Sequence, residues 1–376
     1  MVSLPVFRKY QHLNKILVSR SALEHNYRVL ADLNPNLQIA PVLKSNAYGH
    51  GLKLVASIFD KLNPPFFMVD SLYEAYEIRK LKLKTPVLIM GYTHPNNLKI
   101  KRLPFHFAVF DLDTARALNS KQRNCPVHLF IDTGMHREGV MPGELPGFLS
   151  ELKKLTNLRL VGLASHLADA DSTTGARFTE KQLQVFEDAL EVVRAHGFDP
   201  QWRHVQASAG VMTAKHPALN VARAGLVCYG LSPLSSARAG KITLRPALTF
   251  TSTLAQIKML KKGDIVGYNR TYRCASDMTV GLVPAGYYDG VDRRLSNIGV
   301  ISIDGVECPI LGRVSMNMTV ISLESVSNPH SGQKVTIYSN DPSAGNSLAS
   351  AAARCNTIPY DLLVHLAESI RREVVE

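Results

Sequence analysis

The feature that most constrains this chain is an alternation. Eight short apolar runs are separated by stretches that mostly carry a helical pattern: Ile39–Leu43, Phe66–Val69, Val87–Met90, Phe107–Phe110, Val127–Ile131, Leu160–Ala164, His204–Gln206 and Val221–Cys228. Such continuous runs fit strands buried on both faces of a parallel sheet. Two helix signals are explicit. Ser71-Leu-Tyr-Glu74 has the form of a capping box. Thr179 to Ala195 is apolar at helical spacing, and His196-Gly197 stops it. Eight strand–helix repeats predict a closed (β/α)8 barrel. A doubly wound open sheet competes, but the glycine-rich turn of a dinucleotide fold is missing.

The pattern changes near Pro233. Ser235-Ser-Ala-Arg-Ala-Gly240 reads as a small-residue link. Beyond it, Ala247–Lys258, Thr279–Val283, Ile298–Ile303, Cys308–Leu311, Thr319–Leu323 and Lys334–Tyr338 are short, β-branched and punctuated by turns such as Lys262-Gly-Asp264 and Asp304-Gly305. The expected fold class is therefore α/β plus all-β. An N-terminal (β/α)8 TIM-like barrel spans 18–238 and a C-terminal β-rich domain spans 239–376. The N-terminal strand 1–17 is expected to join the second domain, and a helix or two is expected between Ser347 and Glu373.

Composition excludes several classes. With 376 residues, 45% of them hydrophobic and 20% charged, the chain can bury a large core, so a disordered or fibrous protein is ruled out. Cys125, Cys228, Cys274, Cys308 and Cys355 are dispersed singly, without metal-ligand spacing or a disulfide framework. No apolar run is long enough to span a membrane, and the first residues lack the form of a secretory signal. A cytoplasmic protein is expected, with no membrane partner. The net charge of +12 is scattered without an aromatic-interleaved stripe, so a nucleic-acid partner is not expected. An anionic cofactor or small molecule suits such a charge.

Lys44 ends the first candidate strand, where active sites of barrels lie. A lysine there is either a snorkelling surface residue or a partly desolvated amine able to bond an aldehyde. Tyr48-Gly-His-Gly51, just beyond, suits an anion-binding turn.

The segment Val42-Leu-Lys-Ser-Asn-Ala-Tyr-Gly-His-Gly51 resembles the pyridoxal-phosphate lysine motif of the alanine racemase family. Further blocks resemble that family in its order along nearly the whole chain. They are Asp132-Thr-Gly-Met-His-Arg-Glu-Gly139, Ser165-His166, Ala207-Ser208-Ala209, Arg223-Ala-Gly-Leu226, Gly267-Tyr268, Gly286-Tyr-Tyr-Asp-Gly290, Gly312-Arg-Val-Ser-Met316 and Ile358-Pro-Tyr360. The resemblance implies a barrel plus a β domain, pyridoxal 5'-phosphate as cofactor, and a head-to-tail homodimer with shared active sites. The implied activity is interconversion of L-alanine and D-alanine, supplying D-alanine for peptidoglycan. Lys44 matches the lysine that holds the cofactor and serves one face of the substrate. Tyr268 matches the opposite base, contributed by the partner subunit. Arg223 matches the arginine facing the pyridine nitrogen, and His166 its hydrogen-bonding neighbour. Tyr48, Ser208 and Tyr360, with the backbone N–H groups of Gly225 and Leu226, match the phosphate donors. Arg137 and Met316 match residues near the substrate carboxylate, and Tyr287 a tyrosine of the substrate entrance.

Three positions depart from the family pattern. Phe130 stands where many members carry a carbamylated lysine, so Arg137 must be oriented otherwise. His136 replaces a frequent glycine and Asn317 a frequent aspartate. The alternatives that the sequence leaves open are a racemase of broader specificity, one that prefers serine, and a non-enzymatic pyridoxal-phosphate-binding protein.

Overall fold

Strand β1 (Lys15–Ser19) stands outside the alternating series, and eight short strands follow it: β2 (Gln38–Pro41), β3 (Phe67–Val69), β4 (Val87–Ile89), β5 (His106–Val109), β6 (Cys125–Phe130), β7 (Leu158–Ala164), β8 (Trp202–His204) and β9 (Val221–Ala224). The structure is a computed structural model that describes residues 10–235, 238, 240 and 242–376. Positions 1–9 of the expected N-terminal strand, and 236, 237 and 239 of the expected link, lie outside the described residues. The chain divides into two compact units. A barrel unit comprises Ser21–Ala47 with Gly51–Arg245, and a β-rich unit comprises the described residues up to Arg20, Tyr48–His50 and Pro246–Glu376.

In the barrel unit every strand pairing is parallel. The order β3-β4-β5-β6-β7-β8 is continuous, and β2 pairs with β9. Two links close the ring. Val42 bridges Met68, and the N–H groups of Asn220 and Arg223 donate to Arg203 and Gln206 carbonyls at 3.1 and 2.9 Å. Ala40, Phe66, Met68, Leu88 and Val221 form an apolar cluster, and Ala108, Phe130 and Ala164 form another. Strands facing inward in this way fill a barrel with side chains and leave its chemistry to the C-terminal mouth. The seventh strand ends at His204, earlier than expected, and the eighth ends at Ala224, giving way to a 3-10 turn over Leu226–Tyr229.

The β-rich unit adds β10 (Leu248–Thr253), β11 (Gln256–Leu260), β12 (Ile265–Val266), β13 (Tyr272–Arg273), β14 (Met278–Val283), β15 (Val300–Ile303), β16 (Val306–Pro309), β17 (Thr319–Ser322), β18 (Lys334–Tyr338) and β19 (Arg371–Val375). One sheet has the order β16-β15-β18-β10-β1-β19, and a second has β11-β14-β17. The run Ala247–Lys258, expected as one strand, is divided at Leu254–Ala255 between these two sheets. The stretch from Ser347 to Glu373, where a helix or two is expected, holds helices Leu348–Arg354 and Pro359–Val364, and its end enters a strand not foreseen, β19. Its β-branched Val374 and Val375 suit a strand. Its partner is β1, paired in parallel, with Lys15 and Glu373 forming a 3.3 Å ion pair. That partner lies more than 350 positions away in sequence, beyond the reach of any local pattern.

Candidate active site at the barrel mouth

Lys44 follows β2 after two residues whose N–H groups are tied to both flanking strands. Val42 donates to Ala224 O at 2.9 Å and Leu43 to Met68 O at 2.7 Å. The next residues do something rare. Ser45, Asn46, Ala47 and Tyr48 all take left-handed backbone angles, with φ of 56°, 55°, 53° and 50°. Each such residue costs about 1–2 kcal/mol, so the turn persists because its surroundings hold it. Ala47 N donates to Leu43 O at 2.8 Å, and Asn46 Oδ1 accepts from Leu52 N at 2.8 Å, at the start of the next helix. Glu74 is buried and accepts from Asn46 N (3.3 Å) and Asp70 N (2.9 Å), while its own N–H donates to Ser71 Oγ at 3.3 Å. The capping-box glutamate thus braces the Lys44 turn as well as its own helix.

Arg223, on β9, is only 2% exposed. Its terminal nitrogens donate to five acceptors: His204 O (2.6 Å), His204 Nδ1 (3.0 Å), Ser165 O (2.6 Å), His166 Nδ1 (2.8 Å) and Val205 O (3.1 Å). None is a carboxylate. Burial pushes the guanidinium down to about 9, a nearby Glu138 opposes that shift, and Arg137 adds to it. It still carries its charge at neutral pH. The Phe130 ring faces it, with Cζ 5.7 Å from the centroid, within cation–π range. Arg223 Nε takes part in none of the five bonds.

Because arginine only donates, it sets the direction of a longer chain. His204 must accept at Nδ1, so its Nε2–H donates to His128 Nδ1 at 2.8 Å, and His128 Nε2–H donates to His106 Nδ1 at 3.1 Å. His166 likewise accepts at Nδ1, and buried Gln182 fixes that segment by donating to His166 O at 3.0 Å. Burial keeps all four imidazoles neutral and is the largest cause in each case. His106 is pushed down to about 4 and His166 to about 3, and His128 and His204 lie well below the usual range. Positive neighbours reinforce this, with Arg223, Arg137 and Lys44 all bearing on His166.

A pH effect on stability follows. Unfolded histidine protonates near pH 6.5, whereas these four stay neutral in the fold. As pH falls through that value, the unfolded chain takes up protons that the folded chain refuses, so stability drops. Each histidine contributes up to about 1.4 kcal/mol per pH unit, over a window from about pH 6.5 down to about 4, where His106 begins to titrate in the fold. The urea midpoint should therefore fall steeply between about pH 7 and about pH 5. A flat profile there would show that the histidines are not held neutral.

The loop after β6 carries Arg137. Ile131 bridges Val140, so the two ends of the loop are clamped. Inside it the Asp132 carboxylate accepts from Gly134 N (2.8 Å), His136 N (3.0 Å) and His136 Nδ1 (3.2 Å). Burial opposes ionisation of Asp132, but these bonds outweigh it and hold the carboxyl below its usual range. His136 has φ 55°, which explains why glycine suits the position. Histidine accepts the strain here and pairs with Asp132. Arg137 makes a two-pronged ion pair with Glu138. Farther round the mouth, Ser208 opens the helix Ser208–Thr213, and its Oγ accepts from Gly225 N at 3.1 Å beside Leu226. The barrel unit thus brings together Lys44, Arg137, His166, Ser208, Arg223, Gly225 and Leu226 at the C-terminal ends of its strands.

The β-rich unit holds the rest. The Tyr48 and Tyr360 rings pack with centroids 5.8 Å apart. Tyr287 N donates to Ser315 O at 3.0 Å, and Tyr288 N to Met316 O at 2.9 Å, so these two loops are laced together. Gly286 permits this, since a Cβ there would lie 2.1 Å from Ser315 O. Tyr268 follows Gly267 (φ 71°), whose own absent Cβ would lie 3.4 Å from Arg313 N. Tyr268, Tyr287 and Met316 are 69%, 42% and 55% exposed. Asn317 Nδ2 approaches buried Asp289 Oδ2 at 3.5 Å. The amide can donate to that carboxylate, which an ionised aspartate at 317 could not do.

The model of the alanine racemase N-terminal domain matches residues 18–233, and that of the C-terminal domain matches 247–374. The chain belongs to the alanine racemase family. It is 33% identical over 369 residues to an alanine racemase of Citrifermentans bemidjiense, covering 95% of this chain and 97% of that protein. It is 32% identical to one of Leptospira interrogans, covering 96% and 95%. Among solved structures, alanine racemase of Bacillus anthracis with bound L-Ala-P superposes with a TM-score of 0.90 at 28% identity, covering 98% and 96%. That of Streptomyces lavendulae gives 0.89 at 25%, covering 98% of each chain. The family is pyridoxal-phosphate-dependent, and this chain is such an enzyme. The donor set fits the cofactor. An arginine with a spare Nε and no carboxylate suits an unprotonated pyridine nitrogen, and Ser208 with the Gly225–Leu226 backbone suits a phosphate. Sequence reasoning missed His106, His128, His204, Gln182 and Glu138, and read Glu74 only as a helix cap. A histidine set inside an apolar strand, as in Val127-His128-Leu129, was the signal available for the first group.

Proposed function

We propose that the chain interconverts L-alanine and D-alanine by a two-base mechanism, with Lys44 and Tyr268 serving opposite faces of the substrate. The observation that carries this reading is Arg223, a buried cation hydrogen-bonded only to histidines and backbone carbonyls, beside the Lys44 strand end. When bound, pyridoxal phosphate acidifies the amino acid's Cα–H. The protein's part is to manage the proton. Lys44 holds the cofactor and moves a proton on one face, and Tyr268 does so on the other. A single fixed base would return the proton to the face it left, so inversion needs both. Arg223 donates through Nε without giving up a proton, and His166 accepts from Arg223 and keeps it aimed. Tyr48, Tyr360, Ser208 and the N–H groups of Gly225 and Leu226 hold the phosphate. Arg137 and the Met316 N–H take the substrate carboxylate, and Tyr287 lines its way in.

Tyr268 and Met316 serve the partner's site in a head-to-tail homodimer. Their exposure, with that of Tyr287, supports this, because a two-fold interface covers such surfaces twice. The enzyme is cytoplasmic and supplies D-alanine for peptidoglycan. No helix among the described residues is long and apolar enough to cross a membrane. Chiral product analysis with L-alanine, L-serine and longer amino acids tests the substrate. D-alanine should form fastest. Faster D-serine formation would make serine the substrate, and no inversion of any amino acid would reduce the chain to a cofactor binder.

A further inference from the structure

Arg137 needs an orienting anion, and β6 offers none. Phe130, at its end, is buried against Ala108 and Ala164 with its ring toward Arg223. The carboxylate that does reach Arg137 is its neighbour. Glu138 grips the guanidinium through both oxygens, one to Nε and one to a terminal nitrogen. A fork of this kind fixes the plane of the guanidinium as well as its place. Glu138 is also the better anchored partner, since its side chain is 24% exposed while that of Arg137 is 55% exposed. Its hydrogen bond to Arg137 is the main reason its carboxyl lies below the usual range, and the charges of Arg223 and Lys44 add to this. Glu138 therefore sits within electrostatic reach of Lys44 and Arg223. Its backbone is set by the following residue. Gly139 has φ 132°, and a Cβ there would lie 2.4 Å from Asp132 N, so the loop closes tightly just after Glu138.

We propose that Glu138 is the positioning residue for Arg137 and holds it ready for the substrate carboxylate, the task that falls to a carbamylated lysine elsewhere in the family. Glu138 touches no reacting atom and acts through Arg137. The proposal rests on the reading that Arg137 meets the substrate carboxylate. It explains how a phenylalanine is tolerated at 130, because the anion has moved from the strand to the loop.

The test uses the holoenzyme and its variants Glu138→Leu, Glu138→Gln, Arg137→Leu and the Arg137→Leu/Glu138→Leu double variant. Propionate, a carboxylate without an amino group, is titrated by calorimetry, and KM and kcat are measured with L-alanine. Glu138→Leu should weaken propionate binding and raise KM about tenfold, with kcat changed far less, and the near-isosteric Glu138→Gln should show a smaller shift in the same direction. In the Arg137→Leu background the Glu138 substitution should add almost nothing, which a general structural role would not produce. If Arg137→Leu weakens propionate while both Glu138 variants leave it unchanged or tighten it, Glu138 does not position Arg137 and the proposal fails. If Arg137→Leu itself leaves propionate binding unchanged, the assignment of Arg137 fails instead, and the proposal with it.

Discussion

Replacing Lys44 with alanine should abolish covalent retention of pyridoxal phosphate and slow alanine racemisation by at least about a thousandfold. On the proposed reading the amine both holds the cofactor and moves a proton on one face, so its loss would remove two roles at once. The fold should not notice. Lys44 is exposed, and surface substitutions of this sort change stability by about 0.5 kcal/mol or less. The left-handed turn that follows is held by Leu43 O, Asn46 and Glu74. The unfolding midpoint of the apoprotein should therefore match that of the parent. Borohydride treatment of the parent should fix the cofactor to the Lys44 peptide alone. A label on a different lysine would overturn the assignment.

The second large effect is a recovery. Lys44→Ala protein and Tyr268→Phe protein should each be nearly inactive, yet a mixture allowed to exchange subunits should regain activity. In a dimer whose sites combine Lys44 of one chain with Tyr268 of the other, each mixed dimer has one site damaged twice and one intact. Random exchange of equal amounts makes about half the dimers mixed, so roughly a quarter of all sites should work. Tyr268 is suited to the experiment because it is exposed on a turn next to Gly267, and removing its hydroxyl leaves the ring in place. Verified mixed dimers without recovered activity would put both groups in one subunit.

Much of this was legible in the sequence. Each of the eight runs overlaps a barrel strand, because strands covered on both faces are mostly apolar, although the seventh run shares only His204 with its strand, Trp202–His204. The misread ends have physical causes. Leu254–Ala255 carries neither glycine nor proline, so nothing local marks the passage from β10 to β11. β19 is a strand because β1 is beside it, and that pairing has no local signature. In the site, Lys44 stood out because an amine at the end of a buried strand is unusual. The support of Arg223 did not. His128 and Phe130 share a face of β6 by their spacing of two, but only closure of the barrel brings His204 and Arg223 to them. Phe130 announced that Arg137 lacked its usual partner, whereas Glu138 is the next residue along, and adjacency alone gives no sign that two side chains meet.

Hydrogen exchange at Cα in deuterium oxide tests the two-base reading most directly. The parent enzyme should place solvent deuterium at Cα of alanine starting from either enantiomer, and the mixture should converge on equal amounts of both. Tyr268→Phe should still exchange the α-hydrogen of D-alanine, through Lys44, while exchange of L-alanine and inversion fall together by about a hundredfold or more. Equal loss of exchange from both enantiomers, or inversion that continues at the parent rate, would contradict a mechanism in which Lys44 and Tyr268 serve opposite faces.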